Sequence, residues 1–269
     1  MDTQASIGVF DSGVGGLTVV KEIMRQLPEE NMIYFGDTAR VPYGSKSKKT
    51  VLKYSRQIVR FLMEHQVKAI VVACNTASAL ALDELKDEID IPIMGVVEPG
   101  AKMAAESTKT NSIGIIGTES TIKSGIYSKY LRKINPELTV VSRACPLFVP
   151  LVEEGLLEDR ITDDVIERYL HELKEYGIGS LILGCTHYPL IRNAIGRYMG
   201  PEVTLVNPAY ETAKSLKVML AEQKLLNQSG ELARYEYYVS DGVDKFSTFA
   251  DRVLPCDVER AKVVDIESY

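Results

Sequence analysis

The sequence predicts an α/β protein of two pseudo-symmetric open parallel-sheet domains, with a site in the cleft between them. Three observations carry this. Short apolar runs alternate with helical patterns along the whole chain. Two segments look like copies of each other: Val71-Val72-Ala73-Cys74-Asn75-Thr76-Ala77-Ser78 and Leu181-Ile182-Leu183-Gly184-Cys185-Thr186-His187-Tyr188. Their cysteines lie about 110 residues apart, the length of a domain rather than of a short repeat.

Strands are expected at 7–10, 32–36, 69–74, 93–97, 112–117, 138–141, 180–185, 203–206 and 235–240. Most are continuous in β-branched and apolar residues, as strands covered on both faces are. A helix is expected over 48–65, where Val51, Tyr54, Ile58, Phe61 and Leu62 recur at helical spacing. Further helices are expected near 77–88, 121–133, 163–176, 190–198 and 209–226. This alternation implies parallel sheets with right-handed crossovers. Glu98-Pro99-Gly100 reads as a domain break and Asn207-Pro208 as a return crossing. The first domain is then 1–97 plus 207–269 and carries Cys74; the second is 98–206 and carries Cys185. Open parallel sheets bind ligands beyond the carboxyl ends of their strands, where both cysteines fall.

The chain has 269 residues, 45% hydrophobic and 25% charged, a globular profile. No apolar run approaches the ~18 residues that span a bilayer. Met1-Asp2-Thr3-Gln4 is not a basic start followed by an apolar stretch, so no signal peptide is expected and the cytoplasm is the expected location. A net charge of −6 without a basic run argues against nucleic acid as a partner. None of the four cysteines sits in a C-x-x-C pair, and three histidines give no zinc-like spacing, so no metal is expected.

Cys74 ends an apolar run with a helix starting at once. Free N–H groups at a helix start bind carboxylates and lower a nearby thiol pKa. Asn75 and Thr76 add polar contacts or a cap. One such cysteine is as readily a buried structural residue; the second copy, at Cys185-Thr186-His187, tips the reading toward two reactive thiols. Thiols at matching strand ends suit an enzyme that takes a proton from one face of a carbon and returns one to the other. Asp11-Ser12-Gly13-Val14-Gly15-Gly16 follows the first strand and lets backbone N–H groups approach an anion. It fits neither the P-loop nor the Rossmann fingerprint and also reads as a plain tight turn. Asp37 and the Val41-Pro42-Tyr43-Gly44 loop fall on the same side; most such aspartates only hold turns. His187, two residues after Cys185, favours proton handling. Glu153 reads as an ordinary surface acid. Cys145 and Cys256 lack the strand-end threonine and read as non-catalytic.

Together, Ile7 to Leu17 (IGVFDSGVGGL), Asp37 to Gly44 (DTARVPYG), Ala73 to Ser78 (ACNTAS) and Gly184 to Leu190 (GCTHYPL) resemble the bacterial glutamate racemase family. The resemblance runs over most of the chain, with four motifs in order. It implies two α/β domains around one cleft and a cofactor-independent racemase that makes D-glutamate for peptidoglycan. Cys74 would act on the D-enantiomer and Cys185 on the L-enantiomer. Asp11, Asp37, Glu153 and His187 would assist proton transfer. Substrate contacts would come from Asp11, Ser12, Tyr43, Gly44, Asn75, Thr76, Thr186 and His187, with Thr118 and Thr121 as further pocket residues. The chain opens just before the first motif, so activation of the kind that acts through an N-terminal extension is not expected. The expected partner is a small-molecule substrate, glutamate, with neither nucleic acid nor membrane; the reading leaves room for a homodimer.

Three other readings compete. A racemase for aspartate or another amino acid fits the same scaffold. A cysteine-nucleophile hydrolase leaves the second cysteine segment unexplained. A non-catalytic binder of two α/β lobes leaves both thiols unexplained.

Overall fold

A computed structural model describes residues 2–255 and 260–269; Cys256 lies outside them. The strands are β1 (Ile7–Asp11), β2 (Met32–Gly36), β3 (Ala69–Val72), β4 (Ile93–Gly95), β5 (Ser112–Gly117), β6 (Thr139–Ala144), β7 (Ser180–Gly184), β8 (Thr204–Val206), β9 (Tyr235–Val239) and β10 (Lys262–Val263). The helices are α1 (Leu17–Gln26), α2 (Lys48–Glu64), α3 (Asn75–Leu80), α4 (Leu82–Glu88), α5 (Val97–Ser107), α6 (Glu119–Ser124), α7 (Ile126–Ile134), α8 (Phe148–Glu153), α9 (Arg160–Glu175), α10 (Arg192–Met199), α11 (Pro208–Glu222) and α12 (Val243–Val253).

Among the described residues, one sheet runs β10-β9-β2-β1-β3-β4 and a second β6-β5-β7-β8. Every pairing is parallel. The order β2-β1-β3-β4 in the first sheet repeats as β6-β5-β7-β8 in the second, so the duplication seen in the cysteine segments extends to strand order. In each sheet the chain runs from a central strand to one neighbour and then to the other side of that strand. This leaves a crevice beyond the carboxyl end of the central strand, where ligands bind in open α/β sheets. Asp11 and Cys74 end up at the first crevice, Thr118 and Cys185 at the second.

Alternate side chains set the layers. Ile7, Val9, Ala69 and Val71 share one core with Leu181 and Leu183 of the second sheet and with α1, α11 and α12. Phe10, Ile70 and Val72 point the other way and pack on α2. Ile113, Ile115 and Ile182 pack on α5 and α7. One apolar cluster therefore continues from one sheet to the other.

Several expected elements need correction. The predicted helix over 77–88 is two, α3 and α4, parted at Ala81 with φ −128°. That over 121–133 is also two: Gly125 ends α6 at φ +66°, a left-handed cap that glycine adopts without a Cβ penalty. Glu98-Pro99-Gly100, where a domain break is expected, forms the first turn of α5, in which proline's missing N–H costs nothing. A Cβ on Gly100 would stand 3.0 Å from Pro208 Cγ, so glycine here lets α5 approach α11 closely. The strand expected over 93–97 stops at Gly95, and α5 takes up Val97. Helices α5, α8 and α12 and strand β10 fall outside the expected elements. No helix of the described residues is long and apolar enough to cross a membrane.

Candidate active site

Three strand ends build the site. At the end of β3, Cys74 caps α3: the Ala77 N–H donates to Cys74 Sγ at 3.5 Å, and the thiol reaches Ser12 Oγ at 3.6 Å. At the end of β1, the Gly13 N–H donates to Asp11 Oδ2 at 3.0 Å. At the end of β7, Cys185 Sγ lies 3.8 Å from His187 Nδ1, and His187 Nε2 lies 3.1 Å from Glu153 Oε1. The other oxygen of Glu153 pairs with Lys245 Nζ at 2.8 Å.

Ser12, Tyr43, Gly44, Cys74, Asn75, Thr76, Thr118, Glu153, Cys185, Thr186 and His187 line one narrow cleft, with Gly13, Val41, Pro42 and Val149. The two thiols are nearly buried, Cys74 at 5% and Cys185 at 6% exposure. The halves meet through polar contacts. Thr76 Oγ1 lies 2.9 Å from Thr118 Oγ1 and 3.2 Å from Thr121 Oγ1. Tyr127 Oη donates to Asn75 Oδ1 at 2.6 Å, and Thr18 Oγ1 to the Thr186 carbonyl at 2.9 Å.

Three expected site residues stand behind the cleft wall. Asp11 is fully buried and accepts from Thr186 Oγ1 at 3.5 Å. Thr121 is buried behind Thr76 and Thr118. Asp37 is fully buried, its oxygens taken by Arg40 Nε at 2.8 and 2.9 Å, by Ser240 Oγ at 2.9 Å and by Tyr43 Oη. From there Asp37 fixes the Tyr43 side chain. Cys145 is buried in the shared core, off the cleft, with its thiol 3.7 Å from the Arg143 carbonyl.

The two thiols meet opposite surroundings. Burial, then the nearby Asp11 carboxylate, pushes the Cys74 thiol up to about 12, so Cys74 holds its proton at neutral pH. Burial also raises Asp11. Burial of the His187 ring opposes its charge, but the contacts with Cys185 and Glu153 prevail and raise it to about 10. The His187 bond, helped by Lys245, holds Glu153 down at about 2. Cys185 thus faces an imidazolium held by a carboxylate, and Cys74 faces a carboxylate.

Sequence reasoning missed Lys245, Phe249, Tyr127 and Val149. Phe246, Phe249, Ala250 and Val253 recur at helical spacing after Asp241-Gly242, which would have revealed α12. The pairing of positions 153, 187 and 245 leaves no local signal.

Gly15 explains why the first loop is glycine-rich. A Cβ there would overlap Thr186 Oγ1 and the His187 ring. Gly15→Ala is expected to cost about 1–3 kcal/mol by overpacking and to displace His187. Thermal melting followed by circular dichroism checks this; an unchanged melting temperature would remove the account.

The Asp/Glu/Hydantoin racemase family model matches residues 7–216, and the chain belongs to that family of isomerases. Within it, the chain is 51% identical to the glutamate racemase of Geobacter metallireducens over 249 residues, 93% of this chain and 92% of that one. It superposes on the crystal structure of Francisella tularensis glutamate racemase in complex with D-glutamate with a TM-score of 0.93, at 40% identity, covering 99% of this chain and 100% of that one. It also resembles Picrophilus torridus aspartate racemase at a TM-score of 0.60 and 15% identity, covering 83% of this chain and 99% of that one, a likeness of fold alone.

Proposed function

We propose that this chain interconverts L- and D-glutamate by moving protons between its α-carbon and two thiols, Cys74 and Cys185, supplying D-glutamate for peptidoglycan. One observation carries the reading: two nearly buried thiols from the ends of matching strands line the same cleft, one near Asp11 and the other 3.8 Å from His187 Nδ1. The high identity to glutamate racemases supports glutamate as the substrate.

From L-glutamate, Cys185 takes the α-proton and Cys74 gives its own to the opposite face. One C–H bond breaks, its electron pair spreads into the substrate carboxylate, and a new C–H bond forms on the other side. The reverse reaction swaps the roles. Removing a weakly acidic proton requires charge stabilisation where the enediolate grows. Ser12 and backbone N–H groups at the start of α3, with Asn75, Thr76, Thr118 and Thr186, are disposed to bind the carboxylates. Tyr43 and Gly44 close the cleft on one side, and Thr121 backs Thr76 and Thr118. Asp11 acts on Cys74, Glu153 on His187, and Asp37 through Tyr43. The narrow cleft excludes water and strengthens these interactions. In this reading the domains are 1–97 plus 207–269 and 98–206, supported by the strands that each sheet contains.

Circular dichroism on pure L- or D-glutamate, with no pyridoxal phosphate, metal or nucleotide added, tests the proposal. Decay of the signal to zero from either enantiomer is expected. A panel of amino acids addresses the aspartate alternative: faster turnover of aspartate than of glutamate would overturn the substrate assignment.

A further inference from the structure

We propose that α12 is a strap across the cleft, fastened at Lys245. This helix belongs to the first sheet's side, where Phe246 packs on Tyr34 and Tyr237 with ring centroids 5.9 Å away in each case. Its stripe at i, i+4 and i+7 faces the second sheet's side instead. Lys245 Nζ holds Glu153 Oε2 at 2.8 Å. The Phe249 ring lies 6.0 Å from the His187 ring, centroid to centroid. The guanidinium of Arg252 lies against Gly155.

Each contact joins a residue of the C-terminal segment to one that follows the second crevice, and two of them touch the chain from Glu153 through His187 to Cys185. Closing the cleft therefore also seats the second oxygen of Glu153 on Lys245. When the cleft opens, Lys245 leaves Glu153, and Glu153 loses the partner that fixes its second oxygen. Lys245 acts as a positioning residue through Glu153. Its side chain is 65% exposed, so the strap is weak enough to release and re-form as ligand comes and goes.

The kinetic consequence rests on the racemase reading; the opening itself does not. The experiment therefore follows thiol access in the protein without substrate. Iodoacetamide is applied to wild type, Lys245→Met and Lys245→Arg, and alkylation of Cys74 and Cys145 is read by peptide mass. Cys74 does not touch Lys245, so its alkylation reports opening of the cleft. Cys145 lies in the core and reports loosening of the whole fold. Lys245→Met is expected to speed Cys74 alkylation about two- to fivefold and leave Cys145 unchanged, while Lys245→Arg keeps the wild-type rate. Glutamate turnover in Lys245→Met is expected to lose kcat, whereas a charge that only steered substrate would raise KM alone. Unchanged Cys74 alkylation, a parallel rise at Cys145, or no protection by arginine would overturn the strap. Faster Cys74 alkylation in a protein whose wild type does not racemise glutamate would leave the strap standing and remove the racemase reading.

Discussion

Cys74→Ala and Cys185→Ala are each expected to lower racemisation by at least about 10²-fold, toward 10⁴. A general acid and a general base are both needed in the same turnover, on opposite faces of one carbon. Removing either leaves the other with nothing to complete inversion. The double variant should therefore be about as inactive as either single one. Cys145→Ala provides the contrast, since that thiol is buried away from the cleft. Near-normal turnover in either strand-end variant, measured by circular dichroism from each enantiomer, would eliminate the two-thiol mechanism.

His187→Asn is expected to cost about 10²-fold in turnover. The ring is nearly buried and joins Cys185 to Glu153. Its loss takes away the cation beside Cys185 and leaves Glu153 with only Lys245. Enantiomers are equal in energy, so the overall equilibrium constant is unity and kcat/KM must fall equally in both directions. The asymmetry must appear in kcat and KM separately and in the α-deuterium isotope effects. Asp11→Asn acts at the other thiol, where it removes a negative charge that raises Cys74. The two variants should thus give mirror-opposed patterns in the isotope effects from L- and D-glutamate. Matching patterns would show that the unequal surroundings do not govern the two half-reactions.

Most strands could be read from the sequence because a strand buried on both faces must be apolar throughout. Ile7, Val9 and Phe10, or Leu181, Ile182 and Leu183, leave little else to choose. Glycine and proline were harder because they serve opposite ends: Gly125 breaks a helix, whereas Pro99 and Gly100 start one and allow close packing. Much of the candidate site lay in local patterns, since the cleft is lined by residues that directly follow strands. Glu153 and Lys245 did not, because a charge pair between residues 92 positions apart is a property of the folded chain alone. Asp37 shows the converse: its position after β2 was readable, but not that Arg40, Tyr43 and Ser240 occupy it behind the cleft wall.

The order of strands β10-β9-β2-β1-β3-β4 also governs how the chain is made. During synthesis the second sheet, drawn from 112–206, can close as soon as that stretch leaves the ribosome. The first cannot: β2 keeps a bare edge until Tyr235–Val239 emerges to pair with it. An unpaired strand edge on a nascent chain invites misassembly with a neighbour. Translation that stalls before residue 235 therefore leaves a product with both thiols present, one sheet complete and the other open to aggregation.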